Sequence, residues 1–141
     1  MEHNESLKTL HAALIDASKG YSTAFDNGQT PDMKAFFQSM QKLHEAAHAD
    51  LHKILTSRGE AVHEDVSFMA TVHEAVISVR AAVVGLDRNS LDSFADGEDH
   101  ILHAYSKAIA DQSPDAAVVQ MLKKHRSALA SKIGEMRRRA I

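Results

Sequence analysis

Ten histidines and no cysteine distinguish this sequence of 141 residues. The absence of thiols excludes disulfides, thiolate metal sites and cysteine catalysis, so imidazoles and carboxylates are the side chains that could bind a metal. Such ligands suit iron, zinc, manganese, nickel and copper alike. They predict a divalent or iron-type metal ion, with iron or zinc expected first.

Five of the polar groups fall on or beside the apolar stripes of predicted helices when residues are placed at 100° per step. His44, Glu98 and His125 lie near the centres of their stripes, His48 at an edge and His11 on a shoulder. A buried carboxylate or imidazole without partners is strongly disfavoured. We therefore predict these five residues as metal ligands.

Their positions along the first predicted hairpin place three of the histidines at similar heights. His11 lies nearly five helical turns before Gly28, whereas His44 and His48 lie about four and a half and five and a half turns after it. Measured from Gly28, the height of His11 on the first helix therefore differs by less than one turn from the heights of His44 and His48 on the second. Two histidines at i and i+4 on one helix face can bind one ion, and a facing helix can complete its shell.

The second predicted hairpin brings Glu98 and His125 together in the same way, about four turns before Ser113 and a little over three turns after it. An equally consistent alternative is that these two form a buried ion pair or hydrogen bond, with the other three histidines half-exposed at the bundle edge. The remaining histidines are assigned to the surface: His3, His52, His63, His73, His100 and His103.

Five helices must position these groups, over about residues 5–25, 31–57, 64–84, 90–111 and 114–141. Thr30-Pro31-Asp32 and Ser113-Pro114-Asp115 each supply a helix cap, a first-turn proline and a first-turn acid. Short connections between long amphipathic helices predict antiparallel neighbours. The third helix would carry the chain back between the two hairpins.

That third helix is apolar around much of its circumference, including Val76 and Val83. A helix of this kind is expected to be buried on two sides. A homodimer contact and a larger footprint within the bundle explain the pattern equally well.

The composition indicates a single globular domain over residues 1–141, with 44% hydrophobic and 25% charged residues. No apolar run approaches the ~20 residues of a membrane span, and no apolar secretory segment follows Met1, so a cytoplasmic location is expected. The net charge of -3 disfavours nucleic acid as a partner. The basic residues at 123–126 and 137–139 are explained by helix dipoles and solvation.

Three stretches, at 7–21, 48–59 and 97–105, resemble a small bacterial four-helix-bundle domain of unknown function within the ferritin-like superfamily. The resemblance covers nearly the whole chain. It implies an all-α fold: a ferritin-like antiparallel four-helix bundle with an additional long helix connecting the two hairpins.

The resemblance also implies metal ligands, because ferritins and rubrerythrins hold two irons on such helices. Glu45-Ala46-Ala47-His48 is similar to the Glu-x-x-His of their second helix, which adds Glu45 to the candidate ligands, and Gly97-Glu98 resembles their third helix. Their first-helix glutamate would correspond to Asp16, and the last helix offers His125 or Gln120.

Two departures from that pattern shape the expected site. Periodicity places Asp16 opposite the apolar stripe, facing water, and carboxylates are too few for an ordinary di-iron centre. Aligning the starts of the second and fourth helices puts Glu98 one to two turns from His44 and His48. A histidine-rich mononuclear or atypical dinuclear centre is therefore expected, with one site or two half-sites left open.

The leading prediction is a metal-binding helical bundle that acts in metal handling or oxidative stress. The alternative is a non-catalytic module that dimerises or binds a partner protein without metal. No glycine-rich phosphate loop or nucleophile motif identifies a small-molecule substrate.

Overall fold

The computed structural model of the chain describes residues 2–28, 30–60 and 91–139. These residues form four helices and no strand: α1 (Glu2–Asp26), α2 (Pro31–Ser57), α3 (Leu91–Ala110) and α4 (Ala117–Arg139). The prediction of an all-helical bundle is confirmed. The helix predicted over residues 64–84, with its dimer contact at Val76 and Val83, lies outside the described residues. None of the helices in the described ranges is long and apolar enough to cross a membrane.

The two ends of α2 form as their residues predict. At its start, the Thr30 hydroxyl accepts a hydrogen bond from the Met33 backbone N–H at 3.1 Å, and Pro31 opens the first turn. At its end, Gly59 adopts a φ of 75°, a conformation that glycine adopts without strain. Backbone bonds from Gly59 to Thr56 and from Glu60 to Leu55 then close the helix as a Schellman motif.

The start of α4 differs from its prediction, although Ser113-Pro114-Asp115 has the same pattern as Thr30-Pro31-Asp32. The Ala116 N–H donates to the Ser113 carbonyl at 2.9 Å, which closes a turn, and α4 begins only at Ala117. Proline suits the second position of a β-turn as well as the first turn of a helix. The same three residue types therefore open a helix at one place and a turn at the other.

The four helices pack in a ring in which α1 contacts α2 and α3, and α4 contacts α3 and α2. At one end, Arg58 donates to Asn4 at 2.8 Å and to Gln112 at 3.1 Å, while at the other end Arg139 pairs with Asp32 at 3.0 Å. These contacts make every neighbouring pair antiparallel. Helices α2 and α3 are diagonal partners in the ring, and one apolar core joins all four helices.

Candidate metal centre

Three histidines meet in the groove between α1 and α2. The ring centroids of His11 and His48 are 4.3 Å apart, those of His11 and His52 are 5.4 Å apart, and those of His48 and His52 are 5.8 Å apart. His11 Nε2 lies 3.2 Å from His52 Nδ1. One ring nitrogen of each residue lies within 4.8 Å of the other two. Within the described ranges 2–28, 30–60 and 91–139, no other three histidine or acidic side chains converge in this way.

The spacing along α2 explains this arrangement. His44, His48 and His52 are four residues apart, so each advances about 40° around the helix relative to the one before. His44 is fully buried, whereas His48 and His52 are half-buried at the side that faces α1. His11 enters the same groove from α1 and is only 1% exposed.

The surroundings of His11 favour its neutral imidazole form. Burial lowers the pKa of His11 to about 4, and the nearby charges of His48 and His52 act in the same direction. Neutral imidazole is the form that binds a metal ion. The His11 ring therefore retains a lone pair for a metal at neutral pH.

A second polar cluster occupies the centre of the bundle and consists of Tyr21, His44 and Glu98. His44 Nε2 lies 2.6 Å from Glu98 Oε2, and the Tyr21 hydroxyl donates to the same oxygen at 2.9 Å. All three side chains are buried. Because α2 and α3 are diagonal in the ring, the contact between His44 and Glu98 crosses the bundle axis.

Burial and the Glu98 carboxylate both raise the pKa values of the two tyrosines in and beside this central cluster. Burial raises the pKa of Tyr21 well above its usual value, as do the charge of Glu98 and its hydrogen bond. Burial and the charge of Glu98 also raise the pKa of Tyr105. Among the described residues, the Tyr105 hydroxyl, Glu98 Oε1 and His44 Nδ1 have no hydrogen-bond partner.

The predicted convergence of Glu98 with His125 is wrong. His125 Nε2 instead lies 2.9 Å from Asp50 Oδ2 on α2, near the surface. Glu98 lies a little over three turns before the end of α3, whereas His125 lies only a little over two turns after the start of α4. The difference is about one helical turn, or about 6 Å, and the late start of α4 accounts for only part of it. His125 is also half-buried on the side of α4 that faces Asp50 rather than the bundle centre.

The predicted separation of Glu98 from His44 is also wrong. The prediction assumed that α2 and α3 start at the same height, whereas it is their C-terminal ends that are level. His44 and Glu98 each lie about three and a half turns before the last residue of their helix, Ser57 and Ala110 respectively. The two side chains are therefore level.

Asp16, predicted to face water, is 1% exposed. Every residue from Leu10 to Ala17 is buried, because α1 is covered on more than one side and the assumed single stripe is too narrow. Glu45 is exposed, and its Oε1 accepts a hydrogen bond from the Ser18 hydroxyl at 3.3 Å. Glu45 is therefore outside the group of three histidines.

A pocket of about 170 Å³ opens beside the histidine cluster. His48 forms part of its wall, together with Ile15, Ser18, Lys19 and Glu45. The pocket gives His48 a face toward solvent, whereas His11 is 1% exposed and is not one of the lining residues.

Sequence reasoning assigned His52 to the surface and so missed it. The available signal was its i, i+4 spacing from His48, combined with the advance of about 40° that turns successive histidines toward α1. The residues His44-Glu45-Ala46-Ala47-His48 also have the H-E-x-x-H spacing of zinc proteases. In the structure, His44 contacts Glu98 and His48 contacts His11, so these two histidines belong to different clusters.

Comparison with protein-family models matches residues 2–111 to a family described as a domain of unknown function, DUF2383. No curated protein matches the chain significantly.

Proposed function

We propose that this chain, which belongs to the DUF2383 family of domains of unknown function, binds a first-row transition-metal ion through His11, His48 and His52. The observation that carries the proposal is the convergence of one nitrogen from each of three imidazoles in a single groove. Three histidine ligands with a fourth position for water form a well-known type of zinc site.

The distances are compatible with coordination. In a tetrahedral site with metal–nitrogen distances of ~2.0–2.1 Å, neighbouring nitrogens lie about 3.4 Å apart. His11 Nε2 and His52 Nδ1 are 3.2 Å apart, close to that value. The three candidate ligand nitrogens all lie within 4.8 Å of one another, and rotation of the half-buried His48 or His52 ring can shorten the longer distances.

The ligand set favours certain metals. All three donors are imidazoles, and the two acids of α2 that are near them in sequence, Glu45 and Asp50, bond to Ser18 and His125 respectively. Imidazole-rich sites suit zinc, copper, nickel and iron rather than magnesium or calcium. Zinc or iron is the ion expected first. His44, Glu98 and His125 are assigned to hydrogen bonding, because each of them has a protein partner within 2.9 Å.

Equilibrium dialysis of tag-free protein, followed by metal analysis, tests the proposal. The native chain should retain one equivalent of metal. His48→Ala and His52→Ala should bind at least about tenfold more weakly, since the loss of even outer-shell partners costs about 10- to 100-fold. His100→Ala and His103→Ala are matched controls, because both histidines are exposed on α3.

Circular dichroism of each variant distinguishes loss of a ligand from loss of the fold. Retention of less than about a tenth of an equivalent of every first-row metal by the native protein would contradict the proposal. Equal retention by the native protein and by both His48→Ala and His52→Ala would contradict it as well. A non-catalytic interaction module would then be the better explanation.

The cellular role that we attach to this site is metal handling or protection against oxidative stress, in the cytoplasm and as a homodimer. Its support is the resemblance to ferritin-like bundles together with the three-histidine cluster. Size-exclusion chromatography with light scattering tests the dimer independently of the metal.

A further inference from the structure

One of the three proposed metal ligands, His48, lines the pocket, and any ligand site inferred there rests on that proposed metal site. Ile15 lies one turn beyond His11 on α1, and Glu45 lies one turn before His48 on α2. The pocket therefore follows the same interhelical groove as the histidine cluster.

The formal charges of Lys19 and Glu45 cancel at the pocket, so it is the charge of the proposed metal ion that favours an anion there. Three neutral imidazoles leave the full charge of a divalent ion uncompensated, which favours an anionic ligand at the open position. Lys19 lines the pocket, and its ammonium has no ion-pair partner among the described residues. Glu45 is the opposing charge, and it bonds to the Ser18 hydroxyl at 3.3 Å.

The size of the pocket limits the ligand. The volume of the pocket is about 170 Å³. Pockets for larger organic ligands typically measure ~300–1,000 Å³. The pocket therefore fits a ligand of only a few non-hydrogen atoms.

We infer that this pocket binds a small oxyanion, a carboxylate or a phosphate, whose oxygen coordinates the metal ion held by His11, His48 and His52 while Lys19 pairs with its charge. The anion replaces a metal-bound water molecule, so binding is a ligand exchange. The Ser18 hydroxyl can donate to a second oxygen if it leaves Glu45.

The visible absorption of the full-length protein loaded with Co²⁺ reports this exchange. Titration with acetate and with inorganic phosphate should each change the spectrum saturably, and their dissociation constants decide between the two ligand sources. Lys19→Met should weaken oxyanion binding by about fivefold, the upper range for an exposed ion pair. Glu45→Gln should strengthen it by a similar factor, and Lys42→Met, an exposed lysine of α2 outside the pocket, is the matched control.

Azide serves as a control for an open coordination position on the bound cobalt. A spectrum that responds to azide but to neither acetate nor phosphate would overturn the oxyanion site and leave metal binding intact. Equal dissociation constants for native protein and Lys19→Met would overturn it too. If no cobalt spectrum forms at all, the proposed metal site fails and the oxyanion site fails with it.

Discussion

Replacing Tyr21 by phenylalanine should destabilise the bundle, because it removes one hydrogen bond from a buried carboxylate. The Tyr21 hydroxyl donates to Glu98 Oε2 at 2.9 Å, and the residue is 3% exposed. The aromatic ring itself is retained in the variant. Its packing against Phe94, at a centroid distance of 5.4 Å, and against Phe37, at 6.2 Å, should therefore be preserved.

The magnitude follows from the charge of the acceptor. A hydrogen bond to a charged group contributes about 1.5–3 kcal/mol, and Glu98 would keep only His44 as a hydrogen-bond partner among the described residues. We expect the free energy of unfolding to fall by about 2 kcal/mol. For a chain of this length, that loss lowers the Tm by about 5–12 °C.

Tyr105→Phe provides a closely matched control. Tyr105 is 1% exposed and lies near Glu98, but its hydroxyl has no partner among the described residues. Its removal should leave the stability unchanged or raise it slightly, since no hydrogen bond is lost. Urea unfolding of metal-free protein at pH 7, followed by circular dichroism, measures both variants. Equal losses for the two variants, or a loss below about 0.5 kcal/mol for Tyr21→Phe, would refute the hydrogen-bond account.

Two further predictions concern acid stability and helix capping. The pKa of His11 is lowered from 6.5 to about 4, so the folded protein disfavours protonation of this ring. The stability linked to neutral His11 is therefore fully present above pH 6.5 and is lost as the pH falls toward 4. Between pH 7.5 and 5 the metal-free native protein should lose about 2 kcal/mol more than His11→Gln, and equal urea-unfolding losses would contradict this origin. Thr30→Ala should cost about 1 kcal/mol of unfolding free energy, because its hydroxyl caps α2. Ser113→Ala should cost less than about 0.5 kcal/mol, because α4 begins later, and a loss equal to that of Thr30→Ala in thermal unfolding would contradict this difference.

Local signals in the sequence were sufficient to predict the four helices that the structure describes, because a helix depends on its own periodicity and caps. The end of α2 illustrates this, since Gly59 and its neighbours close the helix by bonds within a short segment. The start of α4 shows the limit of such signals. Pro114 is compatible with both a turn and a helix start, and nothing local to it selects between them.

Contacts between helices were harder to predict, because they depend on heights that no short segment determines. The pairing of Glu98 with His44 depends on α2 and α3 being aligned at their ends, and the pairing of His125 with Asp50 depends on which side of α4 faces α2. The burial of Asp16 depends on how many elements cover α1. Each of these features is a property of the assembled bundle.

The histidine spacing of α2 connects the two polar clusters to one piece of sequence. Because four residues exceed one turn by about 40°, His44 points to the bundle axis while His48 and His52 turn progressively toward α1. One helix thereby supplies a histidine to a buried, carboxylate-containing cluster and two histidines to a groove that reaches solvent. The groups of the buried cluster hydrogen-bond to one another, whereas His48 lines a pocket that opens to solvent. This difference in surroundings, rather than the number of histidines, makes the groove the better candidate for binding an external ion.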